Sequence, residues 1–141
     1  MSAVAVRLGP AEFGLPLERV SAVLRPPAVT RTPSPPPDVV GVVHLRGALL
    51  GVLDLGTRLG GAPARRPGRL VVVSPGGGGE AVALLVDRVA GIVETDDGVD
   101  PPPPEAVAAL PEGWLDGVVR AEDGRLVTLL DLDNVLAGVD R

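Results

Sequence analysis

The sequence predicts an all-β protein made of two linked five-stranded β-barrels, and three observations carry that prediction. The apolar content is 45%, yet it includes one Phe, one Trp and no Tyr, so the core is built from Val, Leu and Ala, a composition that favours strands. Short apolar runs are punctuated by Gly, Pro and Asp-Gly turn signals. The chain also contains the same unit twice. Two copies of a five-strand unit, each too small to hold a good core alone, gain most by packing their apolar faces together.

Taken in order, Val4 to Leu8, the Gly9 to Glu12 turn and Phe13 to Leu15 read as a hairpin. A second hairpin runs from Val40 to Leu45 through an Arg46-Gly47 turn to Ala48 to Leu53. Asp54 then opens a short helical segment to Gly60, with Leu55 and Leu59 on one face. Leu70 to Ser74, a Pro75 to Gly79 loop and Ala81 to Val86 form the next hairpin. Gly117 to Arg120, Glu122-Asp123-Gly124 and Arg125 to Leu130 form the last. Asp131 to Ala137 closes as a helix, with Leu132, Val135 and Leu136 on one face. Pro26-Pro27, Pro33, Pro35-Pro36-Pro37 and Pro101 to Pro104 mark linkers that cross outside the barrels, since proline cannot sit in a sheet interior.

The duplication is read from two blocks. Phe13 to Leu24 lies over Val82 to Val93 at a shift of 69, placing Leu15 on Leu84, Arg19 on Arg88, Val20 on Val89 and Val23 on Ile92. Gly41-Val42-Val43 then matches Gly117-Val118-Val119, and Gly47 to Leu55 matches Gly124 to Leu132 at a shift of 77. Both blocks recur in order with only the linker changed in length, as a duplicated unit requires.

Several function classes fall away. At 141 residues the chain fits one domain, 1–141, of two barrel subdomains, and with no cysteine it points to a reducing cytoplasm. The N-terminus lacks a basic and then apolar leader, and no apolar run is long enough to span a membrane. A net charge of −5 and the near absence of aromatic stacking platforms argue against nucleic acid. Glu80-Ala81-Val82 continues as a strand after the glycine run, so that run is a turn and not a phosphate loop. His44 is the only histidine, and no serine, cysteine or second histidine has a spacing that builds a nucleophile and base. Asp54, Asp87, Asp131 and Asp133 sit at element ends as caps, not as a metal set, and no cofactor is expected.

Against this background the motifs resemble a known family. Val29-Thr30-Arg31, Gly41-Val42-Val43-His44-Leu45-Arg46-Gly47 and Leu53-Asp54-Leu55 resemble the CheW pattern, and Leu85-Val86-Asp87-Arg88-Val89 and Leu129-Leu130-Asp131-Leu132 continue it. The resemblance covers about Val4 to Leu136. It implies two intertwined SH3-like barrels and a stand-alone, non-enzymatic chemotaxis adaptor. Such an adaptor binds the cytoplasmic tip of chemoreceptors and the regulatory domain of a CheA-type histidine kinase, itself CheW-like, in arrays beneath the membrane. Two departures stand out: His44 replaces the family's usual asparagine, and Ala22 stands where an acidic residue is common.

Arg46, in a hairpin turn, can project a planar guanidinium to a partner, although the plainer reading is a solvated turn arginine. With the resemblance, Arg46, Val20, Ala22, Val86 and Val89 are the expected partner-binding residues, the valines lining a groove for a receptor helix. As plain core valines they would look the same. Glu18-Arg19 and Asp87-Arg88 are read as structural, and Trp114 as a largely buried plug at a barrel end or the seam. The alternative is a small-ligand or regulatory barrel on the same fold, which requires a Leu- and Val-lined cavity between the barrels.

Overall fold

The computed structural model describes residues 2–31, 38–76, 79–94, 99–102, 104 and 110–137. Pro33, Pro35 to Pro37, Pro103 and the centre of the glycine run lie outside them. The described residues form ten strands: β1 (Ser2–Leu8), β2 (Ala11–Pro16), β3 (Val20–Leu24), β4 (Val39–Leu45), β5 (Ala48–Asp54), β6 (Arg69–Val73), β7 (Val82–Val86), β8 (Arg88–Glu94), β9 (Leu115–Arg120) and β10 (Leu126–Leu130). Among the described residues, a short helix follows each of two strands, α1 (Leu55–Arg58) after β5 and α2 (Leu132–Leu136) after β10.

The strands form two five-stranded sheets, β8-β1-β2-β10-β9 and β3-β6-β7-β5-β4. By the repeat, β1 to β5 correspond to β6 to β10. Each sheet therefore takes its first hairpin from one copy and its other three strands from the other. The parallel pairs β2·β10 and β5·β7 are the joints of this exchange, and they are equivalent: Phe13 lies beside Thr128, and Val82 beside Gly51. This is the intertwined, two-barrel SH3-like architecture.

The exchange explains why so many strands are continuously apolar. Alternate residues face opposite sides of a sheet, and here both sides are buried. Within β6, Leu70 and Val72 join one core cluster with Leu50, Val52, Ala83 and Leu85. Val71 and Val73 point the other way, to a cluster shared with Val4, Val6, Leu15, Leu84, Val86 and Leu130. The inside of the other barrel is lined by smaller residues, among them Ala3, Ala5, Ala121 and Val127. Each barrel thus has its own interior, and the largest core lies in the seam between the barrels.

The linkers are tied down where the motifs repeat. Thr30 and Val42 exchange backbone hydrogen bonds of 2.9 and 2.8 Å, and Asp100 and Val118 do the same at 2.9 and 2.8 Å. A Cβ on Gly41 would lie 2.2 Å from the Thr30 carbonyl oxygen, and one on Gly117 would lie 2.4 Å from that of Asp100. The Gly-Val-Val motif is glycine-led in both copies because a proline-bearing segment crosses directly over it.

Asp54 and Asp131 cap α1 and α2, accepting from the N–H of Thr57 and Asn134 at 3.1 and 3.0 Å. Asp54 also accepts from the Ala64 N–H, fixing the loop after α1. Two polar struts join the copies. Arg19 reaches Asp133, which also accepts from the Gly76 N–H at 2.8 Å. Arg58 of α1 donates to the carbonyls of Val135 and Ala137 at 2.8 and 2.9 Å and pairs with Asp38 at 3.0 Å. Its guanidinium lies 5.0 Å from the centroid of the Trp114 ring. Trp114 packs on the seam core as expected, but it is half-buried, because Arg58 covers the ring in place of protein interior.

Two outcomes follow. Leu84 is fully buried in the seam, so Leu84→Ala should lower unfolding stability by about 2–5 kcal/mol. Urea unfolding followed by the Trp114 signal and by circular dichroism should still show one coincident transition, since both barrels share that core. The Gly76 N–H, then Arg19, hold the Asp133 carboxyl below the ordinary carboxylate range. The stability this contributes is present above the unfolded value of about 4 and is lost as pH falls through the lower folded value. Asp133→Asn should therefore flatten the acid limb of the stability curve below about pH 4; an unchanged limb would discount the contact.

Candidate functional site

Arg46 sits at the tip of the β4–β5 hairpin. The turn residues Arg46 and Gly47 have φ of +51° and +78°, the signs of a type I′ turn, whose twist suits a two-residue hairpin. Gly fits such a position freely, whereas an L-residue there is strained by roughly 1–2 kcal/mol. Arg46 is exposed and, among the described residues, makes no ion pair or side-chain hydrogen bond. Beside it, exposed His44 pairs across the hairpin with Leu49, which is 57% exposed.

The other expected site residues lie elsewhere. Val20 on β3 and Val89 on β8 are half-buried, and both pack against the seam core, one from each sheet. Ala22 is half-buried against the interior of the β3–β7 sheet and leaves no charged group at that point of β3. Val86 is 0% exposed. It is a core residue of the seam and offers a partner no surface in this conformation. The structure thus brings Val20 and Val89 to one core cluster, and no core cluster or hydrogen bond joins them to Arg46.

Of the paired residues read as structural, Asp87 accepts from the N–H groups of Gly9 and Arg65 at 2.8 and 2.7 Å, tying two turns together. Arg58 was not singled out in the sequence. Two of its partners are backbone carbonyls, which carry no side-chain signature. The repeat also leaves matching apolar positions exposed: Val23 and Ile92 at 45% and 61%, and Leu49 and Leu126 at 57% and 58%.

Within the described residues, no group of three or more His, Asp or Glu side chains converges as a metal site. No helix there is long and apolar enough to cross a membrane. Where the barrels meet, a surface cleft of about 600 Å³ is lined by Val39, Leu53, Val82 and Leu136 together with Glu80 and Asp133. It stops at the seam, where Leu53, Val73, Leu84 and Val86 are fully buried.

The fold is similar to that of the scaffolding protein TtCheW from Thermoanaerobacter tengcongensis, with a TM-score of 0.83 over 99% of this chain and 94% of that one, at 24% identity. A probable chemotaxis protein CheW of Rhizobium etli is 33% identical over 130 residues, 92% of this chain and 83% of the relative. The chemotaxis protein CheW of Rhizobium meliloti is 32% identical over 138 residues, 98% of this chain and 88% of the relative. Protein FrzA of Myxococcus xanthus is 32% identical over 131 residues. The CheW-like domain model matches residues 2–140, so the two interleaved barrels, with their glycine-led motifs and the Leu45-Arg46-Gly47 turn, belong to the CheW family of chemotaxis proteins.

Proposed function

We propose that this non-enzymatic scaffold couples the cytoplasmic tip of a chemoreceptor to the regulatory domain of a CheA-type histidine kinase, working in the cytoplasm at receptor arrays. The observation that carries this reading is Arg46. A strained, exposed arginine without a partner among the described residues, held where glycine would cost less, is a residue kept for something outside the chain. Its rigid hairpin presents a planar donor set suited to carboxylates or backbone carbonyls.

Two further features support coupling over single-partner binding. Val20 and Val89 approach the seam from opposite sheets, as the walls of a groove for an apolar helix face would. The exposed pairs Val23 and Leu49, and Ile92 and Leu126, stand at matching places in the two copies. A kinase domain of like fold can meet the apolar surface of one copy and leave that of the other free. That is the arrangement an alternating ring requires. Ala22 and Val20 flank the β3 contact, and the missing acid at Ala22 removes one possible ion pair from it.

Arg46→Gly is the discriminating variant, because it removes the guanidinium and also relieves the turn. Its unfolding midpoint should equal or exceed that of the wild type. By calorimetry its affinity for a receptor-tip fragment should fall about tenfold or more, with kinase-domain affinity unchanged. Equal binding of both partners by wild type and variant would make Arg46 a turn residue only. Failure of the wild type to bind either partner would remove the coupling function. A Val89→Asp variant, placing a charge at the seam edge, should weaken the receptor fragment by a similar factor.

A further inference from the structure

We propose that Arg7, Arg65, Arg66, Arg69 and Arg88 form a docking site for a carboxylate-rich segment of a protein partner. The proposal rests on the scaffold reading and adds the chemistry of one contact.

These five arginines, out of 13 basic residues in a chain of net charge −5, line a single open cleft of about 660 Å³ with Gly9, Pro10, Gly68 and Asp87. Arg65, Arg66 and Arg88 are exposed. Two carboxylates stand near them, so five guanidinium groups face at most two negative charges. Asp87 is occupied by the N–H groups of Gly9 and Arg65. Glu12 is held by the Arg125 guanidinium at 2.7 and 2.9 Å and lies 4.0 Å from Arg7. Arg69 donates to the Gly68 carbonyl at 2.7 Å. The guanidinium groups of Arg65, Arg66 and Arg88 meet no carboxylate among the described residues. Like charges gathered this way repel one another and raise a local positive field, and an incoming acidic surface reverses that cost.

The second copy serves as an internal control. Arg88 corresponds to Arg19 at the shift of 69, and Gly56 corresponds to Asp133 at the shift of 77. Val6 pairs with Phe13 and Val73 with Val82, so Gly9 and Gly76 also correspond. In the corner containing Gly76, the arginine is paired with Asp133. In the corner containing Gly9, the acid's position is Gly56, and Arg7, Arg65, Arg66 and Arg69 line the cleft beside Arg88. One corner is closed by an internal ion pair and the other is open and basic.

The chemistry favours carboxylates on a protein over a phosphate ligand. The backbone N–H groups of Gly9 and Arg65, which could have cradled a phosphate, already bind Asp87. The arginines line an open cleft and not an enclosed pocket, which suits a chain segment with several carboxylates, each met by a planar fork.

The test uses octaglutamate as a generic acidic probe, inorganic tripolyphosphate as a phosphate probe, and the receptor-tip and kinase-domain fragments as protein partners. The protein is compared with Arg65→Glu/Arg88→Glu and with a control of equal charge change, Arg25→Glu/Arg120→Glu. In amide NMR at about 50 mM salt, octaglutamate should shift Gly9, Arg65, Arg66, Arg69 and Arg88, and the effect should fade at about 300 mM. The Arg65/Arg88 variant should lose about tenfold in affinity for octaglutamate and for at least one protein partner, and the control should lose little. Should that variant misfold by circular dichroism, Arg65→Gln/Arg88→Gln replaces it.

Absence of octaglutamate shifts, or equal loss in the control, overturns the proposal. So does tighter binding of tripolyphosphate at the same residues, which would make this a phosphate site, or undiminished binding of both protein partners to the variant. If neither protein partner binds the wild type, the scaffold reading fails by itself and the octaglutamate comparison alone decides the acidic site.

Discussion

The seam between the barrels is the constraint from which the rest follows. Each sheet is completed by strands of the other copy, so neither barrel exists until both halves of the chain are in place. The exchange puts Val4, Val6, Leu15, Val71, Val73, Leu84 and Val86 into one shared cluster, nearly all below 1% exposed. A core of Val and Leu with few aromatics suffices because the strands bury both faces, and area removed from water, not side-chain size, sets the stabilisation. A duplicated unit of some 70 residues, marginal alone, becomes a cooperative domain this way.

Polar contacts then fix how the halves are oriented. Arg58 gathers the end of α2, Asp38 and the Trp114 ring, and Arg19, Asp133 and Gly76 close a corner on the other strand ends. Pairs near the surface add little net energy but have strict geometry. In this molecule they do for orientation what the non-directional core cannot. At one place the repeat diverges as a compensated pair. Glu12 and Arg125 pair in one sheet, and the corresponding residues in the other are Ala81 and Ala48. Glu12 has only 8% exposure, and losing its arginine alone would leave a nearly buried charge unpaired. Both members are present, or neither.

Strands, turns and caps were legible because local chemistry determines them. Arg46-Gly47 and Asp123-Gly124 mark hairpins, and Asp54 and Asp131 mark helix starts, at the positions the structure gives them. The repeat was legible because corresponding residues share a core that tolerates little change. The exchange of strands was not readable from the residues. When both faces are buried, β1 and β6 show no polar alternation to say which neighbour they face, and the intertwined topology came from the family motifs. The site was legible unevenly. Arg46 is exposed in a tight turn as read, and Val20 and Val89 do edge the seam. Val86 carries the same apolar signal and is wholly internal. Trp114 is less buried than its type suggests, because a cation from a distant helix lies over it.

Duplication also explains how one small domain can present unlike surfaces. The seam core demands near equivalence, so Leu15 and Leu84 both remain leucine, and Gly41 and Gly117 both remain glycine under a crossing linker. Residues at the corners and hairpin tips bear no such demand. Arg46-Gly47 at one tip stands against Asp123-Gly124 at the other, and a closed acid–base corner stands against an open basic one. A structure that is symmetric inside and free to diverge outside has two geometrically related faces of different chemistry. Both faces are built on the same shared core, so the interior that keeps the copies alike also fixes the angle between the faces that differ.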